Sequence, residues 1–173
     1  TYDFGNGDET YPVYEYEIRD TEQNVKRFDH FGMLLSITDE AGNKTALTYD
    51  ADYRLKTITS AAGKTYAFTM TDDGKVETIT LPNGGVLRYE YDSDNNLIKY
   101  TDSCGGETTY TYDQEHRMTA WQDAKGNQVI ANEYDTEGRV TKHTDANGYE
   151  ALFNYSANQT ITTDGNGNET VYE

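Results

Sequence analysis

Tyr134-Asp135-Thr136-Glu137-Gly138-Arg139-Val140, followed by Thr144-Asp145-Ala146-Asn147-Gly148, is the stretch on which the fold turns. Its aromatic-Asp opening recurs at Phe28-Asp29, Tyr49-Asp50, Tyr91-Asp92 and Tyr112-Asp113, and more loosely at Met70-Thr71 and Tyr155-Ser156. From Phe28 to Tyr155 the successive starts lie 21, 21, 21, 21, 22 and 21 residues apart. A glycine stands fourteen residues after each of the first six: Gly42, Gly63, Gly84, Gly105, Gly126 and Gly148. Such self-similarity is the mark of a tandem array.

Each repeat holds two turn signals, as in Asp135 to Gly138 and Asp145 to Gly148. Asp first and Gly fourth is type I turn chemistry, because the carboxylate accepts backbone N–H bonds. Leu81-Pro82-Asn83-Gly84 reaches the same turn with Pro at its second position. Turns every 10 or 11 residues leave about six for each intervening segment, enough for a strand and too few for a helix.

The segments alternate as strands do. Tyr66/Phe68/Met70, Leu87/Tyr89/Tyr91, Thr108/Tyr110/Tyr112 and Ala151/Phe153/Tyr155 each mark one apolar face. The second strand has an apolar column six residues after each start (Leu34, Leu55, Val76, Leu97, Met118, Val140) and another nine after (Ile37, Ile58, Ile79, Tyr100, Trp121, His143). That odd separation requires either two partly covered faces or a bulge, and a bulge is the preferred reading. The next column, Thr38, Thr59, Thr80, Thr101, Gln122 and Thr144, reads as exposed hydroxyls. One extra residue between Asn127 and Glu133 calls for another bulge, whereas two missing residues around Thr160 to Thr163 preserve alternation.

Composition then makes sense. The 173 residues carry 31 acidic and 14 basic side chains, a net charge of −17, and a mean hydropathy of −0.91. That would tolerate disorder, but 16 Tyr do not suit a disordered acidic chain. A single Cys excludes a disulfide scaffold or a cysteine zinc site. The charge argues against nucleic-acid binding. No apolar run approaches the ~18 residues of a spanning helix, so no membrane span is expected, and no signal-peptide pattern opens the chain.

The domain reading is a divergent hairpin over residues 1–27, opened by Tyr2-Asp3, and six to seven tandem repeats over residues 28–173. The chain ends one residue short of the next expected Tyr, which suggests a section of a longer array. Fourteen or so strands at ~4.8 Å spacing would make a strip about 65 Å long, twisting into a spiral or partial barrel. The expected class is all-β: a twisted, spiralling antiparallel sheet forming an open shell segment.

Chemistry is weighed against turn formation throughout. Equivalent Asp residues should lie two strands apart, about 10 Å, too far for a retaining carboxylate pair and slightly beyond the inverting range. Asp92, Asp94 and Asn96, and again Asp164, Asn166 and Asn168, alternate oxygens as a calcium loop does. Neither has that loop's Gly at position six or its Glu at twelve, and turn chemistry explains both. His30, His116 and His143 share no repeat position, with His116 replacing a turn Gly, so no metal site is expected. Cys104 reads as a bystander thiol, and Asn83-Gly84-Gly85 lacks a phosphate loop's Lys and following helix. Trp121 and the tyrosines could stack sugars, but they fall on the face assigned to the core. No cofactor and no catalytic residue is expected.

The Tyr-Asp-x-x-Gly-Arg motif at Tyr134 to Arg139, continued through Tyr91…Leu97…Asp102…Gly105 and Tyr112…Met118…Asp123…Gly126, resembles the YD or Rhs repeat across roughly residues 28 to 155. The resemblance implies a spiralling β-shell. In Rhs toxins and insecticidal toxin complexes such shells enclose a C-terminal toxin, teneurins use a related shell in adhesion, and wall-associated proteins of Gram-positive bacteria also carry the repeats. It therefore implies a non-catalytic wall segment of a secreted or surface bacterial protein, partnered by the rest of the shell and an enclosed effector. The alternative is an adhesion module for glycans or a surface protein. Rhs cores usually end in a self-cleaving segment rich in Pro and Asp; with only Pro12 and Pro82, that segment is not expected here.

Overall fold

The computed structural model describes residues 16–173, so the Tyr2-Asp3 opening lies outside the described residues. Among the described residues every element is a β-strand, and the 16 strands follow one another in sequence order, antiparallel within each unit. The chain divides into two compact units, one ending at Val86 and the other beginning at Leu87.

In the first unit lie β1 (Tyr16–Arg19), β2 (Val25–Phe28), β3 (Leu34–Thr38), β4 (Lys44–Tyr49), β5 (Leu55–Thr59), β6 (Thr65–Met70) and β7 (Val76–Thr80). The second holds nearly all of β8 (Val86–Tyr91), then β9 (Leu97–Thr101), β10 (Glu107–Tyr112), β11 (Met118–Gln122), β12 (Gln128–Tyr134), β13 (Val140–Asp145), β14 (Glu150–Tyr155), β15 (Thr160–Thr163) and β16 (Glu169–Tyr172). The strands after Phe28 number the expected fourteen, and β1 and β2 form a further antiparallel hairpin ahead of them.

The expected bulge exists, and it recurs. Tyr49 faces Leu55 while Thr48 faces Thr57, so Lys56 is the extra residue. The same shift occurs at Phe28/Leu34, Met70/Val76, Tyr91/Leu97, Tyr112/Met118 and Tyr134/Val140. One unpaired residue reverses the parity of the strand, which places Leu55 and Ile58 on the same face as Leu47 and Tyr49. Val129 is the additional bulge predicted between Asn127 and Glu133, since Gln122 faces Gln128 while Trp121 faces Ile130. The last repeat reaches its alternation differently. Tyr155 faces Thr160 and Asn154 faces Ile161, so one missing residue comes from the turn and the other is the bulge itself.

The opposite face is built mainly of Ala, Thr and charged residues, and in the last repeat Leu152, Ile161 and Val171 also fall on it. Its threonines bond across strands, Thr48 to Thr57 at 2.6 Å and Thr69 to Thr78 at 2.7 Å between hydroxyl oxygens. The column expected to be exposed is not: Thr38, Thr59, Thr80, Thr101 and Thr144 are half-buried, and only Gln122 is exposed. Neighbours on both adjacent strands stand about 5 Å away, which covers part of any short side chain whichever face it occupies.

Almost nothing is fully buried. Among the described residues Val25 is the one buried hydrophobic side chain and Ser36 the one buried polar residue. A sheet with so little core depends on contacts between successive repeats.

Candidate functional site

With no core, the site that decides what the chain can do is the junction between repeats. It begins at the turns. Asp39 N–H donates to the Asn43 carbonyl at 3.1 Å and Gly42 N–H to the Asp39 carbonyl at 3.0 Å. These bonds close a three-residue hairpin loop with its third residue left-handed. Gly42, Gly63, Gly84, Gly105, Gly126 and Gly148 all have φ between 72° and 89°. Gln23, Tyr53, Asn95 and His116 take the same slot at φ 61° to 71°.

The Asp side chain completes the turn. Oδ1 of Asp39 accepts Asn43 N–H at 2.8 Å, and Oδ2 accepts Asn43 Nδ2 at 2.8 Å. Asp123 with Asn127 repeats the pattern. The Asn side-chain bond, and then backbone N–H bonds, hold the Asp39, Asp123 and Asp164 carboxyls below their ordinary value.

The calcium candidates sit inside this arrangement. Asp92 Oδ1 accepts the N–H of Asp94 and Asn96 at 2.9 and 2.8 Å, and its Oδ2 accepts Asn96 Nδ2 at 2.9 Å. Asp164 is bonded in the same way by Asn166 and Asn168. These are the bonds made at Asp39 and Asp123, where no alternation of oxygen ligands exists. Among the described residues no group of three or more His, Cys, Asp or Glu is placed to hold a metal ion.

Arg takes the Asn position in three turns, and this role was missed in the sequence although the motif contains it. Arg117 Nε donates to Asp113 Oδ2 at 2.7 Å within its own turn. Its Nη1 donates to the Asp135 carbonyl of the next repeat at 3.0 Å, and its guanidinium lies 4.8 Å from the Tyr134 ring centre. Arg54 likewise reaches the Thr71 carbonyl at 3.3 Å, and Arg139 lies 4.5 Å from the Tyr155 ring centre.

The repeat tyrosine completes the junction from the other side. Each ends its strand, as Tyr49 does β4, and in three repeats the hydroxyl reaches back to the bulge. Tyr49 donates to the Leu34 carbonyl at 2.9 Å, Tyr134 to Met118 at 2.7 Å and Tyr155 to Val140 at 2.7 Å. Each acceptor lies two residues beyond the last ladder pair, as Leu34 does beyond Ser36 and Ala46. Burial, and then the Asp29 charge, push the Tyr49 phenol above its ordinary value, which keeps it a donor. Phe28 lacks the hydroxyl; Tyr91 and Tyr112 end β8 and β10 in the same way.

Trp121 is half-buried on the aromatic face, stacked on Tyr110 with ring centres 6.5 Å apart. Tyr89 and Tyr100 form the preceding cross-strand pair at 5.4 Å. The following pair is polar, His143 Nδ1 to Asn132 Oδ1 at 2.8 Å. The opposite face carries Lys99 between Glu90 and Glu107, and Lys142 between Glu133 and Glu150. Cys104 is an exposed free thiol. One shallow depression of about 430 Å³ lies over Asp135, Arg139, Phe153 and Tyr155, but its Arg is already paired with Asp135 and Glu137.

This arrangement defines a class: a scaffold of tandem β-hairpins locked repeat to repeat through Tyr, Asp and Arg. The RHS Repeat family model matches residues 28–65, 71–103 and 91–128, together more than half of the chain. The chain belongs to the RHS-repeat family.

No curated protein matches it. Among solved structures it is similar to a chain of the Photorhabdus luminescens Tc holotoxin pore bearing a TccC3 mutation, at 16% identity over 86% of this chain and 9% of that one, with a TM-score of 0.64. The crystal structure of TcdB2-TccC3 gives 16% identity, 86% and 10% coverage and a TM-score of 0.64. That of TcdB2-TccC3-TEV gives 15%, 88%, 10% and 0.59. The likeness is one of fold, and the chain spans about a tenth of the length of those chains.

Proposed function

We propose that this chain is a wall segment of an Rhs-type shell in a large secreted or surface-exposed bacterial protein, and that the shell encloses an effector domain of the same polypeptide. The observation that carries this reading is the repeat-to-repeat lock. Tyr hydroxyls on bulge carbonyls and Arg side chains on the next repeat join hairpins without a core, so the sheet extends by one repeat at a time. Such a sheet separates two spaces, with a tyrosine-rich face toward one of them. Enclosure requires no catalytic group in the wall; the residues act by covering the cargo and excluding water and proteases. The family and the fold shared with Tc toxin structures support the toxin context.

Limited proteolysis of the full-length parent tests this. The effector is expected to resist digestion within the intact protein and to be cut rapidly when expressed alone. Equal cleavage rates would overturn enclosure. An adhesion module for glycans or a surface protein is the second reading, favoured by the Tyr110–Trp121 pair. It requires Trp121→Ala to abolish a glycan-array signal.

A further inference from the structure

The first unit carries an aromatic pair that the repeat lock does not use. Phe31 and Tyr53 occupy the tips of the first turns of successive repeats, Asp29 to Met33 and Asp50 to Arg54, 60% and 54% exposed. Their rings meet edge to face, with centres 5.2 Å apart and planes at 74°, and His30 packs on Phe31 with ring centres 3.6 Å apart. Large aromatic side chains so exposed gain little from folding.

Tyr53 is also strained. It holds φ 61° in the slot that ten glycines fill elsewhere with positive φ. A bulky side chain there is unfavourable, whereas Gly has no such penalty. The turn itself closes normally, with Tyr53 N–H donating to the Asp50 carbonyl at 3.1 Å. The backbone therefore gives no reason for Tyr at this position, and what the side chain adds is its ring contact with Phe31.

The charge around the pair is negative. Asp29 and Asp50 begin the two turns, and Asp52 beside Tyr53 is 73% exposed. Arg54, the cation of this turn, is held by Asp50, Asp52 and the Thr71 carbonyl. The ring surface that His30 and the edge-to-face contact leave exposed, bordered by carboxylates on a chain of net charge −17, suits a cation better than an anion or an apolar surface.

We infer that the Phe31–Tyr53 pair is a docking point for a basic protein segment, with an Arg or Lys side chain seated on the rings and a neighbouring cation on Asp52. The inference is independent of enclosure, because these side chains sit on turn tips rather than on the tyrosine-rich face.

Titration with a Gly-Arg alternating nonapeptide, read by chemical shifts of the aromatic protons and by calorimetry, tests it. Tyr53→Gly and Phe31→Ala leave the net charge unchanged, so a merely electrostatic association would not respond to them. Each is expected to weaken peptide binding about two- to fivefold. Tyr53→Gly should do so without lowering resistance to urea, since the relieved backbone strain offsets the lost ring contact, which separates the effect from a folding defect. Tyr149→Ser, at an exposed tyrosine of another turn, should leave the affinity unchanged. Binding within twofold of the parent in both Tyr53→Gly and Phe31→Ala would overturn the inference. So would equal loss in Tyr149→Ser.

Discussion

The Tyr49 hydroxyl donates to the Leu34 carbonyl at 2.9 Å, and Tyr134 and Tyr155 make the same bond one bulge back along the chain. Tyr134→Phe keeps the ring beneath Arg117 and removes only this bond. The expected loss is about 1 kcal/mol, the usual net worth of one hydrogen bond. Urea denaturation should show a lower midpoint with an unchanged slope. Combining Tyr134→Phe with Tyr49→Phe should give nearly additive losses, since the two share no partner.

Arg117 bridges Asp113 and the Asp135 carbonyl through separate nitrogens. Lysine retains the charge but lacks that fork. Arg117→Lys is therefore expected to destabilise by about 1 kcal/mol or more, measurable in the same denaturation experiment. A loss as small as that of an exposed ion pair would show that only the charge matters.

The two glycines at Gly105-Gly106 do different things. Gly105 has φ 89°, and a Cβ there would meet nothing within 4 Å, so Gly105→Ala costs backbone strain alone, about 1–2 kcal/mol. A Cβ on Gly106 would stand 2.7 Å from Asp102 Oδ2. Gly106→Ala should displace the carboxylate that accepts the N–H of Cys104 and Gly106. Pairing it with Asp102→Ala should reveal the difference: the Gly106→Ala cost shrinks in that background, and the Gly105→Ala cost does not.

Acid should weaken the turns. Asn side-chain bonds, followed by backbone N–H bonds, hold the Asp39, Asp123 and Asp164 carboxyls below 3.8. A carboxylate depressed in the folded state stabilises above its unfolded value, and loses that contribution as pH falls through the folded one. The urea midpoint should therefore respond little to these groups near neutrality and fall below about pH 4. Asp39→Asn should start lower and show a shallower acid decline.

The odd spacing of the two apolar columns favours a bulge over two partly covered faces, and the extra residue places a second bulge between Asn127 and Glu133, which the register narrows to Val129. Turn positions were legible because Asp and Gly have fixed tasks there. The Arg role was not, although Arg54, Arg117 and Arg139 stand five residues after a repeat start. Arg54 and Arg117 reach backbone carbonyls of the next repeat, and a carbonyl has no letter in the sequence. The exposure of the Thr column was misread for a related reason: alternation tells which face a residue is on but not how closely its neighbours crowd it. Phe31 and Tyr53, 22 positions apart, carried no shared pattern to mark them as a pair.

Native-state hydrogen exchange on Tyr134→Phe most directly tests the claim that neighbouring repeats are held by these locks rather than by a common core. Amide protection should fall in β11, β12 and β13 and stay unchanged in β3, β4 and β5. A uniform loss of protection across all six strands, or none in β11 to β13, would contradict it.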